Sequence, residues 1–147
     1  QGSFLKPENS SLVQERKELF SDFLDRKTGP DWKEANLTLQ KIMNDYAGVE
    51  VRSETLLSAG LKYLRDLKRK TLAEMRADNA HNLMRAAEVL DLFDCGEAII
   101  NSALERKETR QMHNRTDFPF TNPLLAEKFL TIRQESDKPV LEWRDKK

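Results

Sequence analysis

Glycine and proline are scarce in this sequence of 147 residues, with only five of each. The glycines, at positions 2, 29, 48, 60 and 96, nowhere form a GxGxxG pattern or a phosphate-binding loop. Their arrangement excludes the usual way of holding a dinucleotide, so we expect no cofactor in this chain by itself. The shortage of turn-forming residues also disfavours an all-β fold and favours a mostly helical one.

Cysteine, long apolar runs and excess charge are lacking as well. Cys95 is the single cysteine, so no intramolecular disulfide can form, and a reducing, cytoplasmic compartment fits best. We expect its thiol to be buried and structural, because reactive thiols need an accessible, electropositive setting. No apolar run approaches the ~20 residues that span a bilayer, so direct membrane insertion is not expected. The 25 basic residues balance 25 acidic ones, which disfavours nucleic acid as a partner.

Apolar residues recur at helical spacing along the first part of the chain. The first helix is predicted over residues 11–27, where a KTGP stretch stops it. The second begins after Asp31, which has the side chain of a good N-cap, and it ends at Gly48. We expect Gly48 to take a left-handed conformation and so to close the helix.

Two longer helices are predicted next. One of about 20 residues begins at Ser53 and carries a leucine-rich stripe. The other is capped by Asp78 or Asn79 and has apolar residues on more than one face, so its burial should be the deepest in the chain. These two helices pack antiparallel through the short connection at 76–79, with the second helix beside them. The result is a three-helix bundle, similar to a spectrin repeat, with an extra N-terminal helix.

The pattern changes to alternation after Pro119. The stretches KFLTIR and VLEWR alternate apolar and polar residues across the turn-prone QESDKP, which predicts a short C-terminal β-hairpin that needs a surface to lie on. The predicted fold class is therefore mainly α. The chain divides into a tag remnant at 1–3, an N-terminal helix and linker at 4–30, the helical bundle at 31–118 and a C-terminal extension with the hairpin at 119–147.

One charged stretch, ERKETRQMHNRTDFPF at residues 105–120, contains His113. Of the chain's two histidines, it is the better placed for a functional role, because charged residues surround it. The charged neighbours of His113 could fix its tautomer or shift its pKa. These neighbours are Glu108, Arg110, Arg115 and Asp117. No nucleophile or acid pair accompanies them, so we predict no catalytic residue.

The other candidate ligands are too dispersed for a metal site. Cys95, His81 and His113 lie far apart in sequence and are too few for zinc spacing. His81 closely follows a helix N-cap and is expected to face solvent. We therefore predict that the chain binds no metal.

Composition leaves two interpretations of the charged stretch open. In one, it is a fraying helix end whose charges are solvated, with each exposed pair contributing ~0–1 kcal/mol. In the other, Arg110 and Arg115 above all are buried against a partner domain in a paired hydrogen-bond network. Residue types alone do not decide between solvation and burial.

The same stretch resembles a family signature. ALERKETRQMHNRTDFP is similar to the pattern A-x-x-R-x-E-S-R-G-x-H-x-R-x-D-x-P near the C-terminus of flavoproteins of the succinate dehydrogenase/fumarate reductase family. Residue type and spacing agree at Ala103, Arg106, Glu108, Arg110, His113, Arg115, Asp117 and Pro119.

Two further stretches carry the resemblance along the chain. LTLQKIMNDYAGVEVRSETLLSAGLKYLRDLK looks like the segment in which an I-M-x-x-Y/V-G-x-x-R element precedes a leucine-rich helix in the same family. KFLTIRQESDKPVLEWR is similar to the terminal hairpin of the branch that contains adenylylsulfate reductase α subunits. The resemblance therefore covers residues 31–144.

The sequence departs from the signature at three positions. Thr109 replaces the usual serine, Gln111 the usual glycine and Met112 a small residue. Because Gln111 replaces glycine, we predict that this turn does not require a positive φ.

The resemblance implies that this chain is the C-terminal accessory domain of an FAD-dependent oxidoreductase, inactive alone. The FAD and substrate-capping domains would lie in a longer parent protein, whose flavin exchanges a hydride with a dicarboxylate or does related chemistry at sulfur. An iron–sulfur electron-transfer subunit is a further implied partner. The alternative is a stand-alone helical module that binds another protein through the arginine-rich loop.

Six residues are implied to form the seam with the FAD domain, where they could influence the active site indirectly. They are Arg106, Glu108, Arg110, His113, Arg115 and Asp117. If the FAD domain is absent, we expect this seam to be exposed to solvent or covered by a neighbouring molecule in a crystal.

Overall fold

The computed structural model describes residues 11–135 and 138–146. Four helices come first, namely α1 (Ser11–Asp25), α2 (Trp32–Ala47), α3 (Glu54–Glu74) and α4 (Ala80–Glu105). A 3-10 turn at Pro123–Leu125 then leads to an antiparallel hairpin of β1 (Lys128–Glu135) and β2 (Lys138–Asp145). The predicted mainly α fold with a terminal hairpin is confirmed, and the tag-like residues 1–3 lie outside the described residues.

The three helices of the bundle begin where the sequence predicts. The side chains of Asp31, Ser53 and Asn79 accept hydrogen bonds from backbone amides two or three residues further along, at 2.9, 3.2 and 2.9 Å. Each bond satisfies an amide that has no partner inside the helix. Of the two candidate caps for α4, Asn79 is the one that serves.

The core lies where α2, α3 and α4 meet. Within the described chain, α4 supplies seven buried residues and α2 and α3 four each, so the prediction that α4 is the most buried helix is confirmed. Leu64 and Phe93 are completely buried at the centre, and α1 inserts Phe23 against them. None of the described helices has both the length and the apolar character needed to cross a bilayer.

The hairpin lies against the C-terminal end of α4. Trp143 of β2 donates a hydrogen bond from its indole Nε1 to the Glu105 carboxylate at 3.2 Å, and its ring lies 4.9 Å from the guanidinium carbon of Arg106. The two strands thus have the supporting surface that an isolated hairpin lacks. The predicted domain boundary at residue 118 stays a prediction.

Two predictions about single residues are wrong. Gly48 has a φ of −56°, so it does not form a left-handed cap. Glycine is needed there for space instead, because a Cβ would lie 2.7 Å from the carbonyl oxygen of Asn44. Cys95 is exposed, since the buried Phe93 and Gly96 place it on the outer side of α4. His81 is exposed as predicted.

The closest approach of α2 and α3 gives a first prediction. A Cβ at Gly60 of α3 would lie 2.6 Å from the Cβ of Tyr46, which cannot rotate away. We expect Gly60→Ala to lower the free energy of unfolding by roughly 1–3 kcal/mol, because overpacking outweighs the gain in helix propensity. Urea denaturation followed by circular dichroism measures this change.

Gly96→Ala is the matched control, also in a helix interior. Its Cβ would meet Leu64 Cδ1 at 3.0 Å and Met43 Sδ at 3.1 Å, which are the ends of flexible side chains. We expect the stability of this variant to stay within about 1 kcal/mol of the wild-type value. Equal losses in both variants would contradict the close-approach explanation.

Candidate functional site

The charged stretch continues from α4 as a loop, residues 106–122, which we term the signature loop. It pairs with the short segment between α2 and α3. The amide of Arg52 donates to the carbonyl of Asn114 at 2.8 Å, and the amide of Thr116 donates to the carbonyl of Arg52 at 2.9 Å. Residues more than 60 positions apart are thereby held side by side.

Arg115 is completely buried at the centre of this loop. Its Nη1 donates to the carbonyls of Ala103 and Leu104 at 2.7 and 3.1 Å, which are among the last carbonyls of α4. Its Nε and Nη2 donate to the two carboxylate oxygens of Asp117 at 2.7 and 2.8 Å. The guanidinium also lies over the ring of Phe118, 5.0 Å from its centroid. The charge is therefore fully paired inside the chain.

Asp117 connects Arg115 to the start of α3. Its Oδ2 accepts a hydrogen bond of 2.8 Å from the amide of Glu54, the first residue of that helix. A negative charge is stabilised at this position because the helix dipole is positive there. The hydrogen bonds from Arg115 hold the pKa of Asp117 far below its usual range, and the bond from Glu54 acts in the same direction.

Glu108 is the second completely buried charged residue. Its carboxylate accepts hydrogen bonds from Arg106 Nη1 at 2.6 Å, from Arg110 Nε and Nη2 at 3.1 and 3.0 Å, and from the amide of Asn122 at 2.9 Å. Burial by itself would raise the pKa of Glu108. The hydrogen bonds from Arg110, Asn122 and Arg106 outweigh burial, so the pKa lies below its ordinary value.

These contacts rule out the first interpretation of the charged stretch and show the paired network of the second, but with partners inside the chain, so burial against a partner domain stays a prediction. The stretch is not a fraying helix end with solvated charges, because Glu108 and Arg115 are enclosed by their own chain. The expectation of an exposed seam is also wrong for these two residues, since each finds all of its partners within the chain. The other four predicted residues keep some exposure, and they are Arg106, Arg110, His113 and Asp117.

His113 is held in one tautomer. Its Nδ1 lies 2.9 Å from Nη1 of Arg52, and its Nε2 lies 2.8 Å from the carbonyl oxygen of Arg106. A guanidinium can only donate and a carbonyl can only accept, so Nδ1 is the acceptor and Nε2 carries the proton. Burial lowers the pKa of His113, and the charges of Arg52, Arg115 and Arg106 lower it further. The imidazole is therefore neutral.

Arg52 caps the C-terminal end of α2. Its Nε donates to the carbonyl of Gly48 and its Nη2 to the carbonyl of Ala47, both at 3.0 Å. With the contact to His113, its guanidinium links α2 to the signature loop. No carboxylate of the described chain pairs with Arg52.

Gln111 has a φ of 51° at the tip of the signature loop. Arg110 and His113 exchange two backbone hydrogen bonds of 2.9 and 3.0 Å around it, so Gln111 and Met112 form a two-residue hairpin turn. Positive φ at the first turn position alone is typical of a type II′ turn, which favours glycine there. The prediction that this turn avoids positive φ is wrong: the glutamine adopts the conformation that glycine takes more easily.

An open groove of about 410 Å³ lies beside the loop, and we term it the arginine groove. Arg52, Arg106 and His113 form its polar side. Ala98, Ile99 and Ala103 of α4 form its apolar wall, and Ser102 lies between them.

The described residues lack two features that are typical of metal and dinucleotide sites. Residues 11–135 and 138–146 contain no cluster of three His, Cys, Asp or Glu side chains suited to a metal ion. Their strands form a single antiparallel hairpin, and none of their glycines lies in the first turn of a helix, so the cradle that binds a dinucleotide pyrophosphate is missing. We assign no reaction step at a flavin to this chain.

Sequence reasoning missed three residues of the site. Arg52 lies within the upstream stretch that carried the resemblance, as the arginine that ends its I-M-x-x-Y/V-G-x-x-R element, and this was its only signal. The hydroxyl of Thr109 accepts from the amide of Arg115 at 2.9 Å and donates to its carbonyl at 3.0 Å, a role that the usual serine can also fill. Asn122 contacts Glu108 through its backbone, so its side chain gave no indication.

Known proteins are similar to this chain over a region that includes the signature loop. Residues 36–147 match the family described as fumarate reductase flavoprotein C-term. Chloroplastic L-aspartate oxidase of Arabidopsis thaliana is 30% identical over 118 residues, covering 78% of this chain and 18% of that protein. L-aspartate oxidase 2-b of Nicotiana tabacum is 34% identical over 90 residues, covering 59% of this chain and 14% of that protein. The chain thus spans less than a fifth of these relatives.

Solved structures share the fold over most of the chain. Adenylylsulfate reductase of Archaeoglobus fulgidus has a TM-score of 0.77 and 26% identity, covering 90% of this chain and 24% of that one. E. coli quinol fumarate reductase has a TM-score of 0.76 over 99% of this chain and 26% of that one. At 17% identity, the second likeness concerns the fold alone.

The conformation of Gln111 gives a second prediction. Gln111→Gly should raise the free energy of unfolding by about 1 kcal/mol, because a left-handed conformation costs a non-glycine residue ~1–2 kcal/mol and the gain is partly offset by the freer unfolded chain. Met112→Gly, at the next position without positive φ, should destabilise the chain. Urea denaturation of both variants checks the difference, and a loss of stability in Gln111→Gly would contradict the turn assignment.

The tautomer of His113 gives a third prediction. Because folding lowers its pKa, the unfolded chain binds more protons just below the ordinary histidine value of ~6.5. The stability contributed by neutral His113 is therefore complete above that value and is lost as the pH falls through the folded pKa. We expect lower stability at about pH 5.5 than at about pH 7.5, while Glu108 and Asp117 remain ionised because acids with lowered pKa values titrate below ~4.

One variant tests whether His113 is the group responsible. His113→Gln should remove the pH dependence between the two conditions, because no imidazole then remains at the position where the contacts of the fold require the neutral form. Urea unfolding at both pH values measures the difference. An unaltered pH dependence in His113→Gln would show that another group is responsible.

Proposed function

Since this chain belongs to the family of fumarate reductase flavoprotein C-terminal domains, we propose that it is the C-terminal accessory domain of an FAD-dependent oxidoreductase of the fumarate reductase/succinate dehydrogenase type. The domain docks on the flavin domain of a longer parent protein and is not catalytic alone. The flavin of the parent supplies hydride transfer, while the residues of this chain position and hold the two domains.

The observation that supports docking is the buried ion-pair network of the signature loop. Because Glu108 and Arg115 are satisfied inside the chain, the loop has a defined shape before any partner arrives. A preorganised surface binds without the cost of ordering a loop. In this proposal, Glu108 and Arg115 position the docking surface from within.

The partly exposed residues of the signature loop form the surface itself. Arg106, Arg110, His113 and Asp117 supply its polar groups. Large apolar side chains lie on or just after the same loop, since Met112 is 68% exposed, Phe120 55% and Leu124 78%. Exposed apolar side chains with a polar surround are typical of protein–protein contacts.

Two further parts of the proposal concern the setting of the parent protein. The parent works with an electron-transfer subunit that carries iron–sulfur clusters, in keeping with the enzyme type. It works in a reducing, cytoplasmic environment, in keeping with the single cysteine.

Docking through the signature loop gives a fourth prediction. Met112→Ser in this chain alone should change the free energy of unfolding by no more than about 0.5 kcal/mol, because the side chain is exposed. In the full-length parent, the same change should lower the thermal stability of flavin binding, since burying a methionine contributes roughly 1.5–3 kcal/mol. Flavin fluorescence during a thermal ramp measures the release.

Leu37→Ser is the matched control, because Leu37 is 65% exposed on α2, away from the signature loop. It should leave flavin release unchanged in the parent. Identical release temperatures for the Met112→Ser variant and the wild type would count against docking at this loop.

The coding sequence upstream of Phe4 tests the function as a whole. A flavin domain encoded in frame, bound flavin in the spectrum of the full-length product and turnover of fumarate, succinate, L-aspartate or adenylylsulfate would support the proposal. A start codon at or just before Phe4 would overturn it. The chain would then be a stand-alone helical module that binds another protein.

A further inference from the structure

The arginine groove contains guanidinium groups that are only partly satisfied. Arg52 uses three N–H groups, for the carbonyls of Ala47 and Gly48 and for the ring of His113. A guanidinium has five N–H donors, so two remain. No carboxylate among residues 11–135 and 138–146 lies in contact with Arg52 to balance its charge.

Arg106 has even more unused donor capacity. Only its Nη1 forms a side-chain hydrogen bond within the described chain, to Glu108 at 2.6 Å. The guanidinium carbon lies 4.9 Å from the centroid of the Trp143 ring, a distance typical of a cation–π contact. Its remaining donors have no partner among the described residues, and the side chain is 24% exposed.

The charges around the groove do not cancel. The hydrogen-bonded cluster contains four arginines, at 52, 106, 110 and 115, and two carboxylates, of Glu108 and Asp117, while the carboxylate of Glu105 accepts from Trp143 instead. His113 is neutral because its Nδ1 accepts from Arg52. Two positive charges are therefore in excess, and the guanidinium without an ion pair faces the groove.

We propose that the arginine groove binds the carboxylate of an aspartate or glutamate side chain from the flavin domain, with Arg52 and Arg106 as its donors. This inference rests on the proposed function and specifies the chemistry of the docking contact. The apolar wall of Ala98, Ile99 and Ala103 packs against the methylene groups of that side chain. Planar guanidinium groups match the geometry of a carboxylate, and such a pair fixes the orientation of one domain on the other.

A phosphate group fits the groove less well than a carboxylate. Phosphate sites usually present free backbone amides, often at a helix N-terminus. Here the amides of Arg110, His113 and Arg115 are already bonded within the loop. The groove also lies along the last turns of α4, at the negative end of the helix dipole, which disfavours a doubly charged group.

Zero-length cross-linking of the full-length protein tests the proposal. A carbodiimide joins an amine to a carboxylate that it touches. In the variant Arg52→Lys, the new amine has no carboxylate neighbour in the described chain. We expect a new cross-linked peptide pair, absent from the wild type, that joins position 52 to an acidic residue of the flavin domain. Peptide mapping by mass spectrometry identifies it.

A second variant keeps the test valid if Arg52→Lys unfolds the end of α2. Ile99→Lys places an amine on the groove wall at a half-exposed position, where no cap or ion pair is lost. It should cross-link to the same acidic peptide. Arg65→Lys is the control, because Arg65 contacts Glu97 on α4 and should give that internal link only.

The outcomes separate this inference from the proposed function. If the full-length protein contains a flavin domain and the control link forms, but neither groove variant links to that domain, the inference fails and the proposed function stands. A link to a second copy of this chain or to a separate subunit also overturns it. Absence of any flavin domain instead overturns the proposed function.

Discussion

The enclosed guanidinium of Arg115 is the interaction on which this end of the molecule depends. Removing a charge from water is costly, so a buried arginine is stable only when its donors all find acceptors in good geometry. Asp117 and the final carbonyls of α4 supply those acceptors. The Asp117 carboxylate and the α4 carbonyls must both lie within hydrogen-bond distance of Arg115. This requirement fixes the path of the signature loop.

The same network satisfies helix ends that would otherwise have unpaired backbone groups. Arg52 binds the last carbonyls of α2, Asp117 binds the first amide of α3, and Arg115 binds carbonyls at the end of α4. The signature loop thus binds the start of α3 and the end of α4, while Arg52, whose backbone pairs with that loop, binds the end of α2. Within this chain, the acids and arginines of the motif therefore serve first to bind the backbone groups at helix ends.

The elements of the fold could be predicted because they depend on local patterns. Helical spacing and the capping residues Asp31 and Ser53 determine the bundle, and alternation determines the hairpin. Gly48 was wrongly interpreted from its residue type as a left-handed cap, whereas the structure requires space next to the carbonyl of Asn44, one helical turn earlier. Contacts between distant parts of the chain were not predicted. The contact of Arg52 with the signature loop has no local signal, since it joins segments more than 60 residues apart.

The backbone of Arg52 pairs with that of residues 114–116, so that Arg52 and Arg115 form a β-bridge. This bridge also constrains the lengths of α3 and α4. α3 runs away from the bridge and α4 returns to it, so the chain between Arg52 and Arg115 forms a closed loop. One extra residue in either helix would move its end by ~1.5 Å and turn it by about 100°, which would separate the paired backbones. Relatives that keep the bridge must therefore lengthen both helices in step or confine insertions to the connection between them.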